Sequence, residues 1–195
     1  AGDDLLDGGA DADVLFGEAG NHVILGGAGA DIINGDSASL PESLQGSDWI
    51  DGGDGNDSIW GMAGDDMLIG GKGDDVIYGG KGRDTYIFNK GDGIDTIIDD
   101  DTGPEKSVLV FGEGFDPNSI KLKKGSLLLD LGEGDAIHIE NFDAENPLAN
   151  QSFASFQFAD GSSLSWEQLL ARGFDLDGTD GDDTIVGTGV DDRIS

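Results

Sequence analysis

Two textures alternate along most of this chain. A glycine-rich, acidic stretch gives way to a short apolar one, and the change recurs every nine residues, as in "GGKGDDVIYGGKGRDTYIF" at residues 70–88. With the first glycine of a unit as position 1, position 8 is apolar in twelve units: Leu6, Leu15, Ile24, Ile33, Ile50, Ile59, Leu68, Ile77, Tyr86, Ile97, Ile185 and Ile194. Apolar residues make up only 36% of the sequence, so agreement in every unit is not chance. Position 6 is acidic at Asp4, Asp13, Asp31, Asp48, Asp57, Asp66, Asp75, Asp84, Asp95, Asp183 and Asp192, and His22 fills the one discordant slot.

A nine-residue unit is too short for a helical hairpin. Six turn residues followed by about three extended ones predict very short strands such as "DVIY" and "DSIW". Alternation puts position 8 on one face and positions 7 and 9 on the other. Strands this short bury a face only by stacking on neighbours. Two units then make one coil of about 18 residues, with successive turns on opposite edges. The register breaks twice. Asp31 and Asp48 are 17 residues apart, which predicts an exposed loop at about 37–45 around Pro41. Asp84 and Asp95 are 11 apart. Both insertions fall in turns and spare the apolar segments.

From residue 107 to 174 the repeat disappears and plain alternation replaces it. "SVLVF", "SIKLKK", "LLLDL", "AIHIENF" and "FASFQF" predict strands, with hairpin turns at "KKGS" and "GEGDA". "SWEQLLARG" predicts a short helix with Ser165 as N-cap, Gln168 at N3 and Gly173 past its end. His138 is expected to face solvent between Ile137 and Ile139. "DGTDGDDTIVGTGVDDRIS" restarts the repeat. The expected organisation is therefore a repeat block at 1–98, a β-rich capping segment at 99–174 and the start of a second repeat block at 175–195. Both termini fall inside repeat units, so we expect a piece of a longer protein.

Charge narrows what the turns do. The chain carries 41 Asp plus Glu against 10 Lys plus Arg, a net charge of −31, and no Lys or Arg precedes Lys72. Nucleic acid and anionic membrane surfaces are poor partners for such a chain. Its self-repulsion opposes compaction unless cations offset it. There are no cysteines, so no disulfide framework replaces the missing counter-charge. No apolar run is long enough to span a membrane.

The turn composition supplies a chemistry. Glycines at positions 1, 2 and 4 permit close backbone approach, so carbonyls can converge where one carboxylate arrives. Carbonyl and carboxylate oxygens suit a hard cation, and Ca2+ takes about six to eight of them in flexible geometry. Magnesium wants a stricter octahedron with more water, and zinc wants His or Cys. No nucleophile elbow, zincin helix or phosphate-loop lysine motif is present. Paired acids also suit glycoside hydrolysis, but their repetition in turns fits calcium better. We expect no enzymatic activity.

"GGAGADIIN", "GGDGNDSIW", "GGKGDDVIY" and "GGKGRDTYI" match G-G-x-G-x-D-x-U-x in full, and "GMAGDDMLI" and "GEAGNHVIL" match it with changes. The chain therefore resembles the RTX (repeats-in-toxin) calcium-binding family. "FGEGFDPNSI", "GDAIHIENF" and "FQFADGSSLSWEQLL" likewise resemble the region that follows and caps such repeats. The resemblance implies an all-β, right-handed parallel β-roll with calcium between stacked turns.

Carried over by position, it implies ligand carboxylates at Asp13, Asp31, Asp48, Asp57, Asp66, Asp75, Asp84 and Asp95, and at Asp4, Asp183 and Asp192. It implies ligand carbonyls at Gly8, Gly9, Gly26, Gly27, Ala28, Gly29, Gly35, Gly52, Gly53, Asp54, Gly55, Gly61, Ala63 and Gly64. The same holds for Gly70, Gly71, Lys72, Gly73, Gly79, Gly80, Lys81 and Gly82. One edge would pair Asp13 with Asp31, Asp31 with Asp57, Asp57 with Asp75, and Asp75 with Asp95. The other would pair Asp48 with Asp66, and Asp66 with Asp84. This gives about six calcium ions, a number in keeping with the oxygen demand of each. Asp74, at position 5, is expected to be solvated. His22 offers no carboxylate and is expected to be solvated beside a depleted site.

The family also implies a monomeric bacterial module, exported through type I secretion machinery and folding on calcium outside the cell or at its surface. Two other readings stay open. One is a calcium-stiffened adhesion block presenting the cap or the 37–45 loop to a surface or glycan. The other is the rear part of an exported toxin or enzyme.

Overall fold

The structure is a computed structural model that describes residues 1–99, 103–104, 106–123, 127–148, 151–177, 185 and 187–194. The repeats form ten strands: β1 (Leu5–Ala10), β2 (Val14–Phe16), β3 (Val23–Ala28), β4 (Ile32–Asn34), β5 (Trp49–Asp54), β6 (Ser58–Ala63), β7 (Met67–Lys72), β8 (Val76–Lys81), β9 (Thr85–Phe88) and β10 (Ile94–Ile98). Odd-numbered strands lie in one sheet and even-numbered strands in the other, all parallel to their neighbours. This is a parallel β-roll. Ser58 pairs with Val76, an offset of one 18-residue coil, whereas Ile32 pairs with Ser58 because the inserted loop adds eight residues.

The fully formed strands are twice as long as their apolar segments predict. β8 begins at position 7 and runs through Gly79 and Gly80 to position 3 of the next turn. Glycine permits this. A Cβ on Gly26 would lie 2.6 Å from the Asp31 carboxylate and would press on the Gly52 carbonyl. Position 8 points inward as expected: Ile24, Ile33, Ile50, Ile59 and Leu68 are wholly buried, in single file between the sheets. Ile185 and Ile194 depart from the pattern and are exposed.

Both sheets continue past residue 98. β11 (Ser107–Phe111) adds in parallel to β9, and β12 (Lys121–Lys123), β13 (Leu127–Gly132) and β14 (Asp135–Ile139) follow. β14 joins β10 in parallel and turns the chain antiparallel through β13 and β12. β15 (Phe153–Phe158) and β16 (Ser163–Ser165) close the other sheet. Residues 119 and 120 of the expected "SIKLKK" strand are not in β12, and Ser119 ends a 3-10 turn begun at Pro117. The "KKGS" turn lies outside the described residues apart from Lys123. The "GEGDA" hairpin forms, with Glu133 and Gly134 at positive φ.

The short helix α1 (Trp166–Leu170) carries the expected reciprocal cap. Ser165 Oγ accepts from the Gln168 amide and Gln168 Oε1 accepts from the Ser165 amide. Here the core becomes aromatic: Phe153 and Phe156 stack on Trp166, and Phe111 on Phe158. His138 is half-buried on the face opposite Ile137 and Ile139. β17 (Phe174–Leu176) pairs in parallel with β18 (Asp192–Ile194), again 18 residues on. Among the described residues, no helix is long and apolar enough to cross a membrane.

Candidate metal centres

Each turn delivers its position-6 side chain to the turn stacked on it. The Asp13 amide donates to Asp31 Oδ1 (2.7 Å), Asp31 to Asp57 (2.7 Å), Asp57 to Asp75 (2.7 Å) and Asp75 to Asp95 (3.1 Å). On the opposite edge His22 donates to Asp48 (2.7 Å), Asp48 to Asp66 (2.8 Å) and Asp66 to Asp84 (3.0 Å). The pairs expected along each edge are therefore adjacent. Asp75 and Asp84, nine residues apart, stand on opposite edges.

That hydrogen bond uses one carboxylate oxygen. The second oxygen of Asp31, Asp48, Asp57, Asp66 and Asp75, like Oδ2 of Asp13, is buried and has no hydrogen-bond partner. A buried, unsatisfied carboxylate oxygen is costly, so a repeated column of them calls for a cation. The oxygen's surroundings fit one. A Cβ on Gly8 would lie 2.9 Å from Asp13 Oδ2 and 2.6 Å from the Gly26 carbonyl, so a carboxylate and a carbonyl oxygen converge on the space beside the glycine. The same pair meets at Gly26, Gly35, Gly52 and Gly61. At positions 2 and 4 the carbonyls of Gly9, Gly27, Gly29, Gly53, Gly55, Met62 and Gly64 crowd the place that a Cβ would take on the glycine of the next coil's turn. Such oxygen-only cradles suit Ca2+.

Positive φ at position 2 explains the glycine there, and Met62 adopts φ 85° in its place. Position 3 contributes differently. The carbonyls of Asp54, Lys72 and Lys81 accept from the amides of Gly29, Gly55 and Gly64, while the Lys72 side chain pairs outward with Asp54 at 2.8 Å. Among the described residues no three acidic or imidazole side chains gather on one point. The backbone must therefore supply most of the oxygens of any cation held here.

Burial makes the columns electrostatically uncomfortable without metal. It pushes the Asp66 and Asp95 carboxyls up to about 8, Asp75 to about 7 and Asp48 to about 6; neighbouring column carboxylates add to the rise at Asp66, Asp75 and Asp95, and Asp36 adds to it at Asp48. Asp57 moves in the same direction for the same reason.

Other expected ligands fall elsewhere. Asp4 is exposed. Asp192 closes its own turn, accepting from the Thr188 amide and hydroxyl (both 2.8 Å), and among the described residues is joined to no second carboxylate. Asp183 lies outside the described residues. His22 is not solvated: it is 1% exposed, seated in the column with Nδ1 accepting from the Asp4 amide (3.2 Å). The reason is the stack itself, which from His22 to Asp95 encloses whatever stands at position 6.

Three features escaped the sequence. Position 5 builds a second, outer ladder: Asn21 accepts from Ser47, Asn56 from Asp74, Asp65 from Arg83, and Asp74 from Ile94. Asp74 is exposed but structurally employed. Its signal was the run of Asp, Asn and Ser at that position. Ser107 ends one column by accepting from the Asp84 amide (3.1 Å), and "SVLV" does put Ser107 two residues before an inward Leu109, as at position 6. Asp36, Asp92, Asp99 and Asp135 are further buried carboxylates. Asp135 accepts from the Gly91 and Gly93 amides, which nothing in the repeat forecasts.

Two parallel sheets whose acidic turns stack into oxygen-lined columns define a cation-binding β-roll. The RTX calcium-binding nonapeptide repeat (4 copies) matches residues 1–21, 7–38, 44–75, 60–97 and 176–195, more than half of the chain. The chain belongs to this calcium-binding family. Comparison with curated proteins finds no match. Among solved structures it is similar to the crystal structure of extracellular lipase LipA from Serratia marcescens, at 17% identity and a TM-score of 0.38, over 86% of this chain and 38% of that one. This chain thus spans well under half the length of that lipase.

Proposed function

We propose that the chain is a non-catalytic, calcium-dependent structural module of an exported bacterial protein, folding only after type I secretion. The observation that carries this is the column of buried, unpartnered Asp oxygens, those of Asp13, Asp31, Asp48, Asp57 and Asp66 each beside a backbone carbonyl. Bound calcium would supply two positive charges and an oxygen-rich coordination demand. In the low-calcium cytosol the carboxylates repel one another and the acidic chain stays unfolded, a state suited to threading through a channel. Outside, Asp13, Asp31, Asp57, Asp75 and Asp95 on one edge, and Asp48, Asp66 and Asp84 on the other, would hold ions with the carbonyls of their turns. Binding and folding are then one equilibrium.

The roll is expected to act as a monomer and as one part of a longer protein. Six gaps have a carboxylate on both sides: four on the first edge and two on the second. We assign one calcium to each. Far-UV circular dichroism tests the reading. Strand signal should be small in excess chelator and rise cooperatively as calcium is added. A strand-rich spectrum in chelator, unchanged by millimolar calcium, would sink it.

One observation favours a second role. The 37–45 loop is held in shape by Gln45, whose amide donates to the Ser37 and Leu40 carbonyls, and by a Lys81–Glu42 ion pair, yet it exposes Leu44. An ordered loop on a stiffened roll suits recognition of a surface or glycan. A glycan-array signal that vanishes when the loop is deleted would support that role, and an unchanged signal would exclude it.

A further inference from the structure

His22 is the only position-6 side chain of the roll that is not a carboxylate, and its placement has a defined chemistry. The ring copies the hydrogen bond of the aspartates, since its Nδ1 accepts from the Asp4 amide as Asp31 Oδ1 accepts from Asp13. Because Nδ1 accepts, the neutral ring carries its proton on Nε2. A protonated nitrogen cannot ligate a metal. The other ring edge occupies the cradle. His22 Cδ2 lies 2.5 Å from where a Cβ on Gly17 would stand, the place taken by Oδ2 in the aspartate turns, and the Gly35 carbonyl closes on the same point.

The ring therefore presents C–H and N–H hydrogens, both partly positive, where the aspartate turns present oxygen. Asp48 approaches from the next tier and accepts from the His22 amide. Asp36 stands close by, with Oδ2 held by the Gly46 amide and Oδ1 buried without a hydrogen-bond partner. Both carboxylates are near enough for their charges to act on the ring. Nε2 is likewise buried and unpartnered. The ring's positive edge thus stands beside the Gly35 carbonyl, with two acids close by and the ring buried.

We propose that His22 makes its tier calcium-free, the imidazole edge standing where a cation would, so that within residues 1–99 the calcium ions of this edge lie between Asp48 and Asp66 and between Asp66 and Asp84. The proposal rests on the calcium reading above and says which gaps that reading omits: Asp4–His22 and His22–Asp48. His22 is then a specificity-determining residue that lets the first coils of this edge stack without metal.

The test counts calcium per folded chain by native mass spectrometry at saturating calcium, with the wild type beside His22→Asp. The variant restores a carboxylate to the column and should bind about one to two more ions than the wild type. Equal counts in two folded proteins overturn the proposal. A second measurement does not depend on the variant folding. Nitrogen-15 chemical shifts of His22 in the wild type should report a protonated Nε2 and an unprotonated Nδ1, with or without calcium. A calcium-induced change of tautomer, or a metal-shifted Nε2, overturns it. A wild-type chain that binds no calcium at all removes the calcium reading itself, while the tautomer still reports on the ring.

Discussion

The roll at residues 5–98 and the segment at 107–177 share the same two sheets but are held together by different means. In the roll most strands send one large apolar side chain inward, with Tyr86 and Phe88 both inward from β9, and that thin file is bordered on both edges by buried carboxylates. In the distal segment the space between the sheets is filled by Phe111, Phe153, Phe156, Phe158, Trp166 and Phe174, with antiparallel hairpins and a capped helix around them. Tyr86 marks the change: it takes a position-8 place, meets Phe153 edge to face, and donates from its hydroxyl to Asp99. A single file of aliphatic side chains must share its stabilisation with the turns. An aromatic core does not depend on them.

Calcium removal should therefore separate the two regions. Hydrogen exchange followed by mass spectrometry in chelator should show amide protection of the 5–98 peptides collapsing by several orders of magnitude, while peptides from 153–176 retain more. Uniform loss in both regions would dissolve the contrast.

Acidity should act next. In the unfolded chain these carboxyls titrate near 4, whereas burial in the metal-free roll lifts those of Asp48, Asp75, Asp66 and Asp95 to about 6, 7, 8 and 8. Folding then takes up protons. The stabilisation this brings is complete below the unfolded pKa and disappears as the pH rises through 6 to 8. Without calcium, strand content should thus rise on going from about pH 8.5 to about pH 5, and the calcium midpoint should fall as the pH increases across that window. A metal-free spectrum insensitive to pH would contradict the burial of these acids.

Phe156→Ala should cost the distal segment about 3 to 5 kcal/mol, read as a lowered thermal midpoint at saturating calcium, without changing the number of ions bound. A lost ion would mean that the two regions are coupled more tightly than their cores suggest. The smallest effect should come from Ser165→Ala, which removes half of the reciprocal cap and should cost about 1 kcal/mol at the same calcium midpoint.

Much of this was legible residue by residue. Position 8 announced the core because burial in stacked strands tolerates nothing polar there. The edge pairings followed from counting 18 residues, and the helix cap from Ser165 and Gln168. What stayed hidden depended on neighbours distant in sequence. His22 read as a solvated side chain because nothing local says that the turns of Asp4 and Asp48 will close over it. Asp74 read as idle because its partner, the Ile94 amide, comes from the next coil, 20 residues on.

The sequence alone determined the coil, the inward face and the acidic lining, since each is a periodic property that repeats until it cannot be missed. Tertiary structure decided which oxygens are left unsatisfied, how the columns end at Ser107, and that both sheets run unbroken into the aromatic segment. Those outcomes arise from contacts between tiers, where one atom's environment is set by a chain segment a full coil or more away.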